Sequence, residues 1–179
     1  MKSVPSREKA LSILQQLDVG KSIIRHSIAV CEKSLEMARK IKSNGHRINL
    51  AILEAGALLH DIGRIKTHSL LHGVVGGQIL RRLGICEEVV RIVETHVLGG
   101  ISPEEGKNQG FPEGDFRPRT VEEKVCCYAD KLTKGSKYVT LEERFAYWVR
   151  KYGNTPEIKR SLERTKQIEE YLMQLMEKS

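Results

Sequence analysis

Apolar residues recur at helical spacing along almost every long stretch of this chain. Between roughly Lys21 and Lys42, Ile23, Val30, Met37 and Ile41 share one face, and Asn44-Gly45 supplies a helix stop. Asn49 reads as the cap of a shorter helix, Leu50 to His60, which ends at Asp61-Ile62-Gly63. Ser69 to Leu83 and Glu87 to His96 follow, parted by Gly84. Thr120-Val121-Glu122-Glu123 and Thr140-Leu141-Glu142-Glu143 both match the capping box, so two more helices start there. Thr155-Pro156 opens a charged C-terminal helix over 155–177, with proline at the first turn where its missing donor does no harm. No stretch alternates with period two for long enough to be a convincing strand. The predicted fold class is all-α, a compact multi-helix bundle in one domain spanning residues 1–179.

The segment from Leu98 to Arg119 breaks the pattern. It holds five glycines, three prolines and several charges, and long insertions of this kind tend to be lids or binding loops. A lid over a site is therefore expected at 98–119, directly after His96.

Composition narrows the classes without choosing among them. Forty per cent apolar and 30% charged residues describe an ordinary globule. The longest apolar run, Ala51 to Leu59, is interrupted by Glu54 and is too short to span a bilayer. The first eight residues carry no apolar segment or small-residue cleavage site, so a cytoplasmic location is expected, with no membrane partner. Cys31, Cys86, Cys126 and Cys127 form no C-x-x-C pair and read mostly as small core residues of a reduced compartment. The net charge of +7 favours anionic partners, but it is spread among ion pairs rather than gathered in one run. Nine aromatics in the whole chain, with no basic-aromatic interleaving, argue against a dedicated single-strand nucleic-acid platform. RNA is thus a possible but disfavoured partner, and the oligomeric state is left open.

The chemistry lies in histidines and aspartates that arrive at intervals of about one helix plus one turn: His26, His60-Asp61, His96 and Asp130. Imidazole and carboxylate together can close a shell around a divalent cation. A lone His26 on the face of Ile23, Ala29 and Val30 would read as a core histidine, and His96 as a helix-end histidine responding to the dipole. Asp61 at a helix carboxyl end is unfavourable without a cation, and Asp130 within an apolar helix needs a partner, for which Lys134 at i+4 is the bland candidate. Several bland readings at regular intervals are jointly less persuasive than one metal site. His72, beside Gly73 and Gly76-Gly77, is a further candidate and ranks above His68; His46 sits in a turn and reads as solvated surface.

His26, then His60-Asp61-Ile62-Gly63, then Asp130 in Tyr128-Ala129-Asp130-Lys131 resemble the H…HD…D signature of the HD-domain phosphohydrolases over most of the chain. Leu71-His72-Gly73 and Glu94-Thr95-His96 further resemble the branch with two additional histidines, which binds two metals and includes bacterial enzymes that split diadenosine tetraphosphate. By that resemblance His26, His60, Asp61 and Asp130 hold a first metal, and His72 and His96 hold a second with Asp61 bridging. The G-Y-P element of the cyclic-dinucleotide branch is missing, as is a clear extra Glu-Asp pair of the alarmone hydrolases.

The expected activity is hydrolysis of a nucleotide or similar small phosphoester by hydroxide formed on bound metal, because a bound ion brings the pKa of water near neutrality. Two divalent transition-metal ions are expected, iron or manganese in first place, with zinc, nickel, cobalt and magnesium as alternatives. Asp61 is the central catalytic candidate, and Arg64, Lys66, Lys131 and Lys134 are the bases that could hold the rest of the anion. The rivals are a metal-stabilised module accessory to RNA modification and a di-iron oxygenase of the same superfamily.

Overall fold

In the computed structural model, which describes residues 2–177, the stripe through Val30, Met37, Ala38 and Ile41 is the buried face of a helix, Lys21–Ser43. It is the second of nine α-helices among the described residues: α1 (Arg7–Gln16), α2 (Lys21–Ser43), α3 (Leu50–Leu59), α4 (His72–Arg82), α5 (Glu87–Thr95), α6 (Pro103–Asn108), α7 (Val121–Lys131), α8 (Leu141–Tyr152) and α9 (Pro156–Met176). A two-residue antiparallel pair, β1 (Thr133–Lys134) and β2 (Lys137–Tyr138), is the one small sheet. The all-α expectation holds.

α3 is the centre. Leu53, Ala57, Leu58 and Leu59 are all shielded from solvent because α2, α5, α7 and α1 pack around it, as suits a helix apolar nearly all round. Each such leucine contributes about 1.5–3 kcal/mol by leaving water. Glu54, the polar interruption, pairs with Arg7 of α1 at 2.9 Å. That helix was absent from the periodicity reading, although Ser6 caps it and Ala10, Ile13 and Leu14 form its buried face. Three inward positions in ten residues make too short a pattern to stand out.

Most boundaries match the expectations to within a residue. α4 differs, starting at His72 rather than Ser69, because Thr67 and Ser69 hydroxyls accept the Ser69 and Leu71 amides and hold a turn there instead. α4 lies close against α5 and against the 3₁₀ turn Ile62–Ile65. Glycines set that closeness: a Cβ on Gly63 would fall 1.9 Å from the His72 carbonyl oxygen, and one on Gly77 2.4 Å from the Glu94 carboxylate.

The 98–119 segment is folded rather than open loop. Ile101 and Phe116 exchange backbone hydrogen bonds at 3.0 and 3.3 Å, and with Phe111 and Val74 they form a small separate core. Ser102 and Glu105 make a reciprocal capping box on α6. Glu105 also binds Arg160 and Arg164 of α9, which clasps the segment to the C-terminal helix. No described helix is long and apolar enough to cross a membrane.

Candidate metal centre

Four histidine rings converge near the carboxyl ends of α3 and α5, and their orientations have one cause. Nδ1 of His60 donates to the Ala57 carbonyl at 2.8 Å, Nδ1 of His72 to Ser69 at 2.7 Å, and Nδ1 of His96 to Val93 at 2.7 Å. Nδ1 of His26 donates to the Gly135 carbonyl at 2.8 Å. A carbonyl can only accept, so each Nδ1 carries a proton and each Nε2 is the ring nitrogen left to face the site and ligate. Ala57 and Val93 lie in the last turns of α3 and α5, where helix carbonyls lack intrahelical partners. The helix ends thereby orient the rings, as carbonyls behind metal-bound histidines do.

These nitrogens point at one another and at two carboxylates. His72 and His96 bring their Nε2 atoms to 3.0 Å, with Asp61 Oδ1 at 3.2 and 3.5 Å from them. His26 Nε2 lies 3.0 Å from Asp130 Oδ1, and His60 Nε2 lies 3.7 Å from Asp130 Oδ1 and 3.8 Å from Asp61 Oδ2. Asp61 therefore turns one oxygen to each group. Donors about 2.0–2.2 Å from a common ion stand roughly 3.0–3.5 Å apart, which matches this spacing. His60 Nε2 and Asp61 Oδ1 are buried without a hydrogen-bond partner, a costly arrangement that an ion would relieve. The residues fit divalent ions, with His26, His60 and Asp61 forming one group whose ligand atoms could hold an ion and Asp61, His72 and His96 another; Asp130 Oδ1 lies beside the first group, 3.0 Å from His26 Nε2 and 3.7 Å from His60 Nε2.

The local electrostatics suit ligation. Burial pushes His96 down to about 3, against the opposing contact with Asp61, so its ring is neutral at pH 7. His60 is driven down by burial but is raised on balance by Asp61 and Asp130. Burial disfavours the charged forms of both carboxylates, yet both are held well below the usual range, Asp61 chiefly by His60 and Asp130 chiefly by Lys131. Burial raises the thiols of Cys31, Cys126 and Cys127, leaving these cysteines as protonated core residues.

The basic candidates separate by position. Arg64 Nε meets Asp61 Oδ2 at 2.7 Å with a side chain 30% exposed, facing the cleft. Lys131, only 1% exposed, donates to Asp130 Oδ2 at 2.7 Å and to the His96 carbonyl at 2.8 Å. Asp130 thus has a fixed cation on Oδ2 and its Oδ1 towards the histidines, whereas Arg64 sits on the Asp61 oxygen that also faces His60, which steadies that carboxylate without leaving the oxygen to one partner. Lys66 is exposed and lines no part of the cleft, and Lys134 lies in β1 with its ammonium 3.9 Å from the Tyr147 ring centroid. α7 ends at Lys131, so the helical Asp130–Lys134 pair cannot form, and Lys131 takes that place. His68 and His46 are exposed.

A cleft of about 520 Å³ opens over the donors. Arg64, His72, His96, Asp130 and Lys131 form one wall, and Leu98, Gln109, Trp148, Tyr152 and Ile158 contribute to the other. Leu98 and Gln109 belong to the segment expected beside the site, but the contributions of Trp148, Tyr152 and Ile158 were not anticipated. The signal was local: four of the nine aromatics, Phe145, Tyr147, Trp148 and Tyr152, fall within eight residues beside Arg144, Arg150 and Lys151. That interleaving corrects the view that bases and aromatics are nowhere combined.

Residues 23–135 match the family model described as the HD domain. An uncharacterised protein of Methanocaldococcus jannaschii is 42% identical over 154 residues, 86% of this chain and 90% of the relative. A protein of Thermoplasma volcanium named tRNA (cytidine(56)-2'-O)-methyltransferase is 38% identical over 143 residues, 80% of this chain but 41% of the relative's length. A ribonuclease Y of Acidothermus cellulolyticus is 26% identical over 118 residues, 65% of this chain and 20% of that protein. No solved structure matches the chain.

Proposed function

The chain belongs to the HD-domain family, and from that premise we propose that it is a metal-dependent phosphohydrolase of a nucleotide or similar small phosphoester. The observation carrying this reading is Asp61 standing between two groups of imidazole nitrogens, with its Oδ1 and His60 Nε2 buried and unpaired. His26, His60, Asp61 and Asp130 are the proposed ligands of one ion, and Asp61, His72 and His96 those of a second; iron or manganese is favoured. When bound, such ions acidify water and neutralise charge on a phosphoryl group.

The chain's own residues do the remaining work. Nδ1–H bonds to backbone carbonyls keep the four rings aimed, and Arg64 and Lys131 hold the two carboxylates in register. Arg64, partly exposed in the cleft, is the base best placed to meet substrate oxygens, whereas Lys131 is wholly engaged inside. Folded residues 98–119 contribute Leu98 and Gln109 to the outer wall, and we take them to shield the substrate with the rest of the single domain. Shortening them should raise KM with metal content unchanged.

Metal-loaded protein offered a panel of nucleotides, including diadenosine tetraphosphate as the substrate of the resembling branch, tests the reading. Phosphate release that stops on chelation and returns with metal is expected; inertness towards the whole panel would end it. A second reading, a metal-stabilised RNA-modification accessory, draws support from the relatives named as tRNA methyltransferases and from the net charge of +7. Tight, salt-dependent RNA binding with no phosphoester turnover would favour that alternative.

A further inference from the structure

α8 is an unusual helix for this chain, since aromatic side chains are otherwise scarce. Phe145 is buried with Leu141 and Ile158, and the ring of Tyr147 is taken by Lys134. Lys151 lies 5.1 Å from the Tyr152 ring centroid. Trp148, half-buried, borders the cleft over the donors.

Its position is fixed from behind. Arg144 donates to the carbonyls of Asp130 at 2.9 Å, Lys131 at 3.3 Å and Thr133, which ties α8 to the end of α7 that carries Asp130. The same guanidinium lies 5.4 Å from the Trp148 ring centroid, where packing and cation–π attraction hold the indole. Lys131 measures the gap: its ammonium is 2.7 Å from Asp130 Oδ2 and 5.9 Å from the Trp148 centroid. A flat apolar ring thus stands one ammonium group away from the donor set. Leu98 and Ile158 add apolar surface to that wall, and Gln109 adds an amide.

Bare phosphate has no use for such a wall. A molecule with a charged phosphate at one end and a π-face at the other matches both sides of the cleft. Resting on the phosphohydrolase reading, we infer that Trp148 receives the base of the substrate, making the substrate class a nucleoside phosphate rather than a sugar phosphate or inorganic polyphosphate. Stacking accepts any base, so this residue selects for the presence of a base and not for its identity.

Trp148 is the chain's sole tryptophan, so emission excited at the red edge, where the five tyrosines do not absorb, reports on it alone. The magnesium-supplemented full chain would be titrated with adenosine 5′-monophosphate and with ribose 5-phosphate, following emission and calorimetric binding together. The nucleotide should change emission saturably, and ribose 5-phosphate should bind about tenfold more weakly and leave emission unchanged. Trp148→Leu should weaken nucleotide binding to the ribose 5-phosphate level without altering ribose 5-phosphate itself, and Trp148→Tyr should restore most of the loss. Should Trp148→Leu fail to fold, the wild-type emission titration decides alone. Equal binding of the two compounds with unaltered emission overturns the inference and leaves the phosphohydrolase reading intact. Absence of binding by either, together with an inert nucleotide panel, overturns both.

Discussion

The two walls of the cleft are built on opposite principles. The donor wall grows from α3, α5 and α7, helices wrapped in core, and its rings and cations are fixed from behind by partners inside the protein while His60 Nε2 and Asp61 Oδ1 stay unpaired. The outer wall is α8, the start of α9 and the 98–119 segment, with small cores of their own and much exposed surface; Tyr152 is 58% exposed. Under the proposed function, reaction geometry falls to the rigid side, because ligand positions tolerate little displacement. The other side can vary at little cost to folding, which is where discrimination between substrates is most easily changed.

Substitutions on the two sides should differ accordingly. Asp61→Ala removes the oxygens that face both donor groups, so turnover should fall by at least about a thousandfold, several kcal/mol of charge stabilisation. Elemental analysis should show metal well below the two ions per chain proposed for wild type. Retention of full metal and activity would mean that Asp61 is not the shared ligand.

Gly63→Ala tests the donor wall without touching a donor. Its Cβ would meet the backbone oxygen of His72, which cannot turn aside, so a loss of more than about 3 kcal/mol is expected in denaturant unfolding. A loss below about 1 kcal/mol would show that α4 can shift and that the wall is softer than its geometry indicates.

The outer clasp should respond more mildly and with a defined pH dependence. Burial pushes the Glu105 carboxyl up, but the Ser102 amide, Arg164 and Arg160 outweigh it and lower it to about 2, from an ordinary 4.5. Its pKa is depressed on folding, so its contribution is complete above 4.5 and disappears as pH falls towards about 2. Glu105→Gln should cost about 1–2 kcal/mol at pH 7. The gap in Tm between wild type and variant should narrow steadily below pH 4.5; a gap independent of pH would assign the loss to packing. Lys134→Ala should do least, about 0.5 kcal/mol from its contact with Tyr147 and no change in metal content by elemental analysis.

Among the candidate donors, His60, Asp61 and His96 stand out in the sequence because each sits where a periodic apolar run stops, whereas His26 and Asp130 lie inside helices and are marked only by being polar on an apolar face. The grouping of these side chains came from the family resemblance and not from their spacing: Asp61 and His72 meet because glycines let α4 approach the 62–65 turn, a tertiary contact that periodicity does not carry. The bland alternative for Asp130, a helical pair with Lys134, assumed that the helix ran on, whereas it ends at Lys131 and the chain turns into β1, so that Lys131 meets the carboxylate instead. Trp148 was hidden differently. Its helix is marked by the Thr140 capping box, but nothing local says that α8 folds back beside Asp130; that depends on Arg144 reaching three carbonyls at the end of α7.

Because the imidazoles of His60 and His96 are oriented by carbonyls in the terminal turns of α3 and α5, fraying of either helix and loosening of its ring are one event. An occupant of the site therefore holds those turns shut by mass action, with RT ln(1 + [L]/Kd) added to each opening that releases a ligand. Backbone amides near Asp61 and Val97 become a gauge of loading: their exchange with deuterated solvent should slow as metal is supplied, while amides of the exposed α8 keep the same pace.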